Sequence, residues 1–167
     1  MEIRIAGTVE DSIVDGPGLR YVVFTQGCPH HCEGCHNPKT HDFEGGKVTD
    51  TDKLYEECIS NPLTSGVTFS GGEPFCQAEA LYRLGVRLKE RNYNLMIYSG
   101  WTFEELCEKG REEEYTAKLL GICDILVDGR FVLAERSLLL QYRGSKNQRV
   151  LDCQKSLAEG RAVLWEN

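Results

Sequence analysis

The chain has 167 residues, of which 41% are hydrophobic and 27% are charged, a composition typical of one soluble globular domain. Its net charge of −7 argues against a nucleic-acid-binding protein, because such proteins carry a basic surface. No stretch approaches the ~20 apolar residues of a membrane helix, and no signal-peptide pattern is present. We therefore predict a single cytoplasmic domain over residues 1–167, without a membrane partner, whose eight cysteines bind metal more readily than they form disulfides.

The first predicted element is a strand from Leu19 to Thr25, preceded by the turn sequence Val14-Asp15-Gly16-Pro17-Gly18. A short loop with Cys28, Cys32 and Cys35 follows this strand directly. Four-iron clusters normally take four thiolates, one for each iron, so three cysteines leave one iron open to a ligand that is not protein. The spacing therefore predicts a [4Fe-4S] cluster with an open iron.

Other uses of these cysteines are possible on the sequence alone. A closed zinc site of the Cys3His type is one alternative, since four histidines crowd the same stretch: His30, His31, His36 and His41. A disulfide framework is less favoured, because secretory features are lacking. The widely spaced cysteines are interpreted as small buried apolar residues: Cys58, Cys107, Cys123 and Cys153. Cys76 follows a second motif, and its role is left open.

Strands and helices alternate along the rest of the chain. Further strands are predicted at Gly66–Ser70, Asn94–Ser99, Asp124–Val127, Gln148–Leu151 and Arg161–Trp165. Helices are predicted from near Thr49, from Gln77 to Arg91, from the capping box Thr102–Glu105, and just before Gly160. This alternation implies right-handed crossovers, while a full eight-stranded barrel takes about 250 residues. We predict an α/β fold, an open, mainly parallel partial (βα) barrel of about five or six strands.

The second motif is Ser70-Gly71-Gly72-Glu73-Pro74, at the end of a predicted strand. Two glycines let a ligand approach the backbone closely, and Glu73 offers a carboxylate to a cationic group. Because this turn and the cysteine loop both follow strands, we expect both at the carboxyl edge of the sheet, where such sheets bind ligands.

The cysteine spacing together with Gly71-Gly72-Glu73 resembles the radical S-adenosylmethionine superfamily. Within it, Ile13–Gly18 and Cys35-His36-Asn37-Pro38 are similar to the enzymes that activate glycyl-radical proteins. Three further segments resemble the activating proteins of anaerobic (class III) ribonucleoside-triphosphate reductase: Tyr98–Leu106, Asp128–Phe131 and Arg143–Gln148. The resemblance extends at least over residues 5–152.

This resemblance implies a mechanism. Cys28, Cys32 and Cys35 would hold a [4Fe-4S] cluster, whose open iron would take the amino and carboxylate groups of S-adenosylmethionine. An electron from the cluster, supplied by an external donor such as a flavodoxin or ferredoxin, would cleave the sulfonium to methionine and a 5′-deoxyadenosyl radical. That radical would remove a hydrogen atom from one glycine of the reductase. Since the cofactors carry the chemistry, no side chain is expected to act as an acid or a base.

The resemblance also implies contacts to S-adenosylmethionine. The backbone of Gly34, Cys35 and His36 would line its adenine end, and Gly71, Gly72 and Glu73 would face its methionine amino group. Many superfamily members carry an aromatic residue before the third cysteine, whereas this chain has Gly34, so only backbone contact is expected there.

Two alternative functions remain open on the sequence. An activase of another glycyl-radical enzyme, such as pyruvate formate-lyase, is suggested by three segments: Cys35-His36-Asn37, Gly66-Val67-Thr68 and Gln77-Ala78-Glu79. A zinc-stabilised binding module without catalysis is the alternative of another class. The basic stretch from Arg143 to Arg149 could dock the partner or be an ordinary solvated loop.

Overall fold

The computed structural model describes residues 1–166, and its central feature is one seven-stranded sheet. The strands are β1 Glu2–Ser12, β2 Arg20–Thr25, β3 Lys47–Asp50, β4 Gly66–Gly71, β5 Asn94–Tyr98, β6 Ile125–Asp128 and β7 Arg149–Asp152. The helices are α1 Thr51–Cys58, α2 Ala78–Glu90, α3 Phe103–Gly110, α4 Glu114–Ile122 and α5 Cys153–Glu159. No helix within residues 1–166 combines the length and apolar character needed to cross a bilayer.

The strand order is β3-β1-β2-β4-β5-β6-β7, so the sheet is open. The four central strands, β2, β4, β5 and β6, are parallel. β1 pairs antiparallel with both β2 and β3, and β7 pairs antiparallel with β6. This confirms an α/β fold with a parallel centre, and the crossover helices between these strands explain why the centre is parallel.

The predicted strand count was too low. β1 was missed because its outer half is polar and exposed, and β3 because only four residues form it. Both are stabilised by pairing with neighbouring strands rather than by local hydrophobic pattern. The predicted strand Arg161–Trp165 was wrong: this segment makes only an isolated bridge between Leu151 and Leu164.

The helices follow local signals closely. Thr102 and Glu105 form the predicted capping box at the start of α3, and Gly160 ends α5 in a left-handed conformation. α1 begins at Thr51, two residues after the predicted start near Thr49, and the Asp50 side chain caps it. α4 was not predicted as a separate helix.

The two faces of the parallel strands have different neighbours. Alternate residues such as Phe69 and Ile97 pack into the main core with the helices, where Leu81, Leu84 and Leu88 of α2 are fully buried. The intervening residues face the other side of the sheet, the concave side of the partial barrel, where a small cluster forms around Met96, Ile125 and Val127. The core on the helical face thus supports a second face that remains free for a site.

Candidate active site

The cysteine loop begins where β2 ends and returns to the sheet at β3. Its two arms are joined by backbone hydrogen bonds, from the Gly27 N–H to the Thr40 carbonyl (2.7 Å) and from the Cys28 N–H to the His41 carbonyl (3.1 Å). The buried amide of Gln26 donates to two further carbonyls of the returning arm. These bonds close the loop on itself, so its three thiols are held on a defined frame.

Cys28, Cys32 and Cys35 line one cavity of about 260 Å³. All three are free thiols; Cys28 is buried, whereas Cys32 and Cys35 are partly exposed. Burial raises the pKa of the Cys28 thiol above its ordinary value, which disfavours a bare thiolate there. A cation bound to the sulfur removes that penalty, as an iron atom would.

The donor set fits a [4Fe-4S] cluster better than a single metal ion. In the described part of the chain, no three His, Cys, Asp or Glu side chains converge closely enough to hold one ion. A four-iron cluster has no such requirement, because each thiolate binds a different iron. The neighbouring histidines also have other partners: His31 and His41 stack edge-on, and His36 packs against Phe131.

The glycine turn lies beside this loop because β2 and β4 are adjacent parallel strands. The Gly72 N–H donates to the Thr25 carbonyl, and the Glu73 N–H donates to the Gly27 carbonyl, both at 2.8 Å. Gly71 and Gly72 line the same cavity as the three cysteines. The structure therefore brings the two sequence motifs together at the carboxyl edge of the sheet.

The backbone itself requires glycine at both positions of this turn, apart from any approach of a ligand. Gly71 has a φ of +94°, where a side chain is strained. A Cβ on Gly72 would lie 2.3 Å from the carbonyl oxygen of Gly27, the residue directly before Cys28. The turn and the cysteine loop are thus in backbone contact, and any side chain at Gly72 would push against the cysteine loop.

Glu73 is placed differently from the expectation. Its side chain is fully buried and does not line the cavity; its carboxylate instead accepts hydrogen bonds from neighbouring protein groups, including His30. The carboxylate is therefore engaged with donors of the protein and turned away from the cavity.

Of the three residues predicted to border the adenine end of the cofactor, only two line the cavity. Cys35 and His36 line the cavity, whereas Gly34 is absent from its lining. Gly34 has a φ of +74°, and a Cβ there would lie 2.8 Å from Leu133. The left-handed backbone at this position favours glycine, which accounts for the departure from the aromatic residue that the resemblance leads one to expect there.

Comparison with known proteins places this geometry in a family. The family model for the 4Fe-4S single cluster domain matches residues 14–151. The anaerobic ribonucleoside-triphosphate reductase-activating protein of Haemophilus influenzae is 31% identical, over 81% of this chain and 89% of its own length. This chain belongs to the family of reductase-activating proteins. The homologue in Enterobacteria phage T4 is 30% identical, over 82% of this chain and 86% of its own length.

The activating proteins of pyruvate formate-lyase are related but longer. The enzyme of Listeria monocytogenes is 31% identical over 91% of this chain, yet the match covers 62% of that enzyme. Among solved structures, QueE from Escherichia coli has a TM-score of 0.51 at 17% identity, covering 60% of this chain and 53% of QueE. That likeness concerns the fold alone.

Several residues that line the cavity were not predicted from the sequence as site residues. They include Asp15, Tyr98, Phe131, Gly144 and Gln148, which line the cavity with the cysteines. Each belongs to a segment that carried the family resemblance, so their convergence was signalled only by that resemblance. Asp15 is the one acidic side chain among the lining residues.

The loop from Arg143 to Arg149 proves to be tightly structured. The Arg143 guanidinium donates to the carbonyls of Lys146 and Gln148, and the Gln148 side chain bonds the backbone of Gly129 and Gly144. Among the three cationic side chains of this loop, Lys146 is the exposed one, and no hydrogen bond or ion pair holds it within residues 1–166. Arg149 pairs with Asp128 and Glu104.

Proposed function

We propose that this protein generates a glycyl radical on anaerobic ribonucleoside-triphosphate reductase by reductive cleavage of S-adenosylmethionine. The observation that carries the proposal is the shared cavity: three free thiols from one loop line it together with the Gly71–Gly72 turn. The relatives named as reductase-activating proteins, which match this chain over 81% of its length and over 89% of their own, support this partner.

The residues of the loop would hold the cofactors. Cys28, Cys32 and Cys35 would bind three irons of a [4Fe-4S] cluster and leave the fourth for S-adenosylmethionine. When bound, the cluster would supply the electron that cleaves the sulfonium, so that a hydrogen atom can be removed from a glycine of the reductase. We propose that the backbone of Cys35 and His36, with Gly34 behind them, borders the adenine end of the cofactor.

The methionine end would lie against the Gly71–Gly72 turn. We propose that the backbone of Gly71, Gly72 and Glu73 supplies its polar contacts, since the Glu73 carboxylate is engaged with protein donors. The Asp15 carboxylate would add negative charge near a cofactor that carries a sulfonium and an ammonium group. The aromatic rings of Tyr98 and Phe131 would exclude water from the cavity walls, which protects a radical from side reactions.

The remaining partners follow from the same proposal. The electron would come from an external donor such as a flavodoxin or ferredoxin, and the protein would work in the cytoplasm without nucleic acid or membrane. The acidic composition supports a function without nucleic acid, because nucleic-acid-binding proteins carry a basic surface.

The direct test is cofactor cleavage by anaerobically reconstituted protein. With a chemical reductant and S-adenosylmethionine, we expect methionine and 5′-deoxyadenosine in equal amounts from the wild-type protein. The Cys32→Ala variant should produce neither. Stoichiometric zinc in place of iron, with no cleavage, would instead support the zinc-stabilised binding module.

A further inference from the structure

Glu73 is the centre of a buried hydrogen-bond network at the base of the cavity. Its carboxylate accepts from the backbone N–H of Phe75 (3.1 Å), the hydroxyl of Ser99 (2.9 Å) and the backbone N–H of Gly100 (2.8 Å). Its fourth neighbour is the Nε2 atom of His30, at 2.7 Å. Because the backbone groups can only donate, the carboxylate acts as the acceptor in this network, and His30 completes its donor set.

His30 belongs to the cysteine loop, between Cys28 and Cys32. Its side chain is only 4% exposed and packs edge-on against the Trp101 indole, with ring centroids 4.7 Å apart. The ring also fills the space beside Gly100, where a Cβ would lie 2.3 Å from the imidazole. The imidazole is thus enclosed by the residues that follow β5, although its backbone lies in the loop that follows β2.

We propose that His30 is a positioning residue, which acts through Glu73 to lock the cysteine loop against the ends of β4 and β5. This inference deepens the proposed function and rests on it, because the loop matters as the holder of the cluster. Glu73 then contributes by fixing His30, Ser99 and Gly100, and its carboxylate is not a ligand of the methionine amino group.

The physical basis is the cost of leaving a buried acceptor without its donor. Removal of the imidazole N–H deprives a fully buried carboxylate of one of its hydrogen bonds, and the surrounding backbone must shift to compensate. The cysteine loop is the element free to move, since Phe75, Ser99 and Gly100 are fixed by the turn and by β5. A shift there changes the position of the cluster relative to the Gly71–Gly72 turn, where S-adenosylmethionine would lie.

The test compares two substitutions at one position with a control on the same loop. His30→Phe keeps a ring but removes the donor, whereas His30→Gln places an amide N–H near the position of Nε2. His31→Asn removes the neighbouring exposed imidazole and suits the left-handed backbone at that residue, whose φ is 49°. Each protein is reconstituted anaerobically, and its iron content, its reduced-cluster electron paramagnetic resonance spectrum and its affinity for S-adenosylmethionine are measured.

We expect His30→Phe to fold and bind iron, but to lose about tenfold or more in affinity for S-adenosylmethionine and to show an altered spectrum with the cofactor. His30→Gln should restore both within about threefold, and His31→Asn should match the wild-type protein. If His30→Phe does not fold, His30→Asn, whose amide is too short to reach Glu73, takes its place with the same expectation.

A double variant separates positioning from direct binding. If Glu73 acts through His30, the His30→Phe/Glu73→Gln protein binds S-adenosylmethionine no more weakly than the weaker single variant. Additive losses, or a wild-type spectrum and affinity in His30→Phe, would overturn the inference. If the wild-type protein itself shows no spectral response to S-adenosylmethionine, the proposed function fails and the inference fails with it.

Discussion

Individual residues at this site have distinct roles that their chemistry makes separable. Cys28, Cys32 and Cys35 share one cavity, whereas the other free cysteines are dispersed; Cys123 and Cys153, for example, are buried in the core. A thiol that packs in a core behaves as a small apolar group, while a thiol facing a polar cavity is available to metal.

Replacement of the loop cysteines should therefore be selective. We expect Cys28→Ala, Cys32→Ala and Cys35→Ala each to abolish the iron–sulfur absorption of reconstituted protein, because each removes the only thiolate for one iron. Cys107→Ala and Cys123→Ala serve as matched controls and should retain full iron content. Iron content that survives in any of the three loop variants would contradict the assignment of that cysteine.

Gly72 gives a second prediction at this scale. Because an added Cβ would meet the Gly27 carbonyl at 2.3 Å, Gly72→Ala should displace the cysteine loop and reduce both iron content and S-adenosylmethionine binding. Gly121→Ala is the control, since a Cβ there has no atom within 4 Å. Reduced cofactor binding with an unchanged cluster would show that Gly72 serves the ligand alone.

The sequence was sufficient to predict which residue types form the site, but not which way each side chain points. Glu73 was expected to face a cationic ligand because its carboxylate follows two glycines, yet it is buried beneath the turn. Its four donors come from His30, Phe75, Ser99 and Gly100, three of them more than twenty-five residues away along the chain. No local pattern encodes contacts of that range.

At the scale of elements, the predictable parts were those with local signals. The capping box of α3 and the buried parallel strands were predicted because their patterns are short and self-contained. β1 and α4 were missed for opposite reasons. β1 depends on pairing with β2 and β3, and the acidic run before α4 hides the point where one helix ends and the next begins.

In the loop from Arg143 to Arg149, the structure gives the two basic side chains Arg143 and Lys146 different roles. Arg143 holds the loop together through backbone carbonyls, whereas the Lys146 side chain is exposed. We expect Arg143→Glu to impair cofactor cleavage without partner as well as radical transfer, because Gly144 and Gln148 of this loop line the cavity.

Lys146→Glu is the cleaner test of docking. If the loop contacts the reductase, this variant should cleave S-adenosylmethionine at the wild-type rate with a chemical reductant but form less glycyl radical. Wild-type radical formation by Lys146→Glu would show that the exposed part of the loop is solvated and does not dock the partner.

At the scale of the whole molecule, the fold provides a parallel sheet whose helical face is filled and whose concave face holds the site. The main core joins the strands to α2, α3 and α4, so the carboxyl ends of β2, β4, β5 and β6 are fixed relative to one another. Most of the segments that line the cavity follow one of these strand ends, whereas Asp15 lies in the segment that precedes β2. A small open sheet can therefore position a cluster and a cofactor while leaving one side accessible to a larger protein.

In the proposed function, this chain places a radical on a glycine of anaerobic ribonucleoside-triphosphate reductase. The most direct measurement is electron paramagnetic resonance of that reductase after anaerobic incubation with the reconstituted protein, S-adenosylmethionine and a reductant. We expect a glycyl-radical signal on the reductase, none with the Cys32→Ala variant, and none on pyruvate formate-lyase under the same conditions. Absence of the signal on the reductase while S-adenosylmethionine is cleaved, or a signal on pyruvate formate-lyase alone, would contradict it.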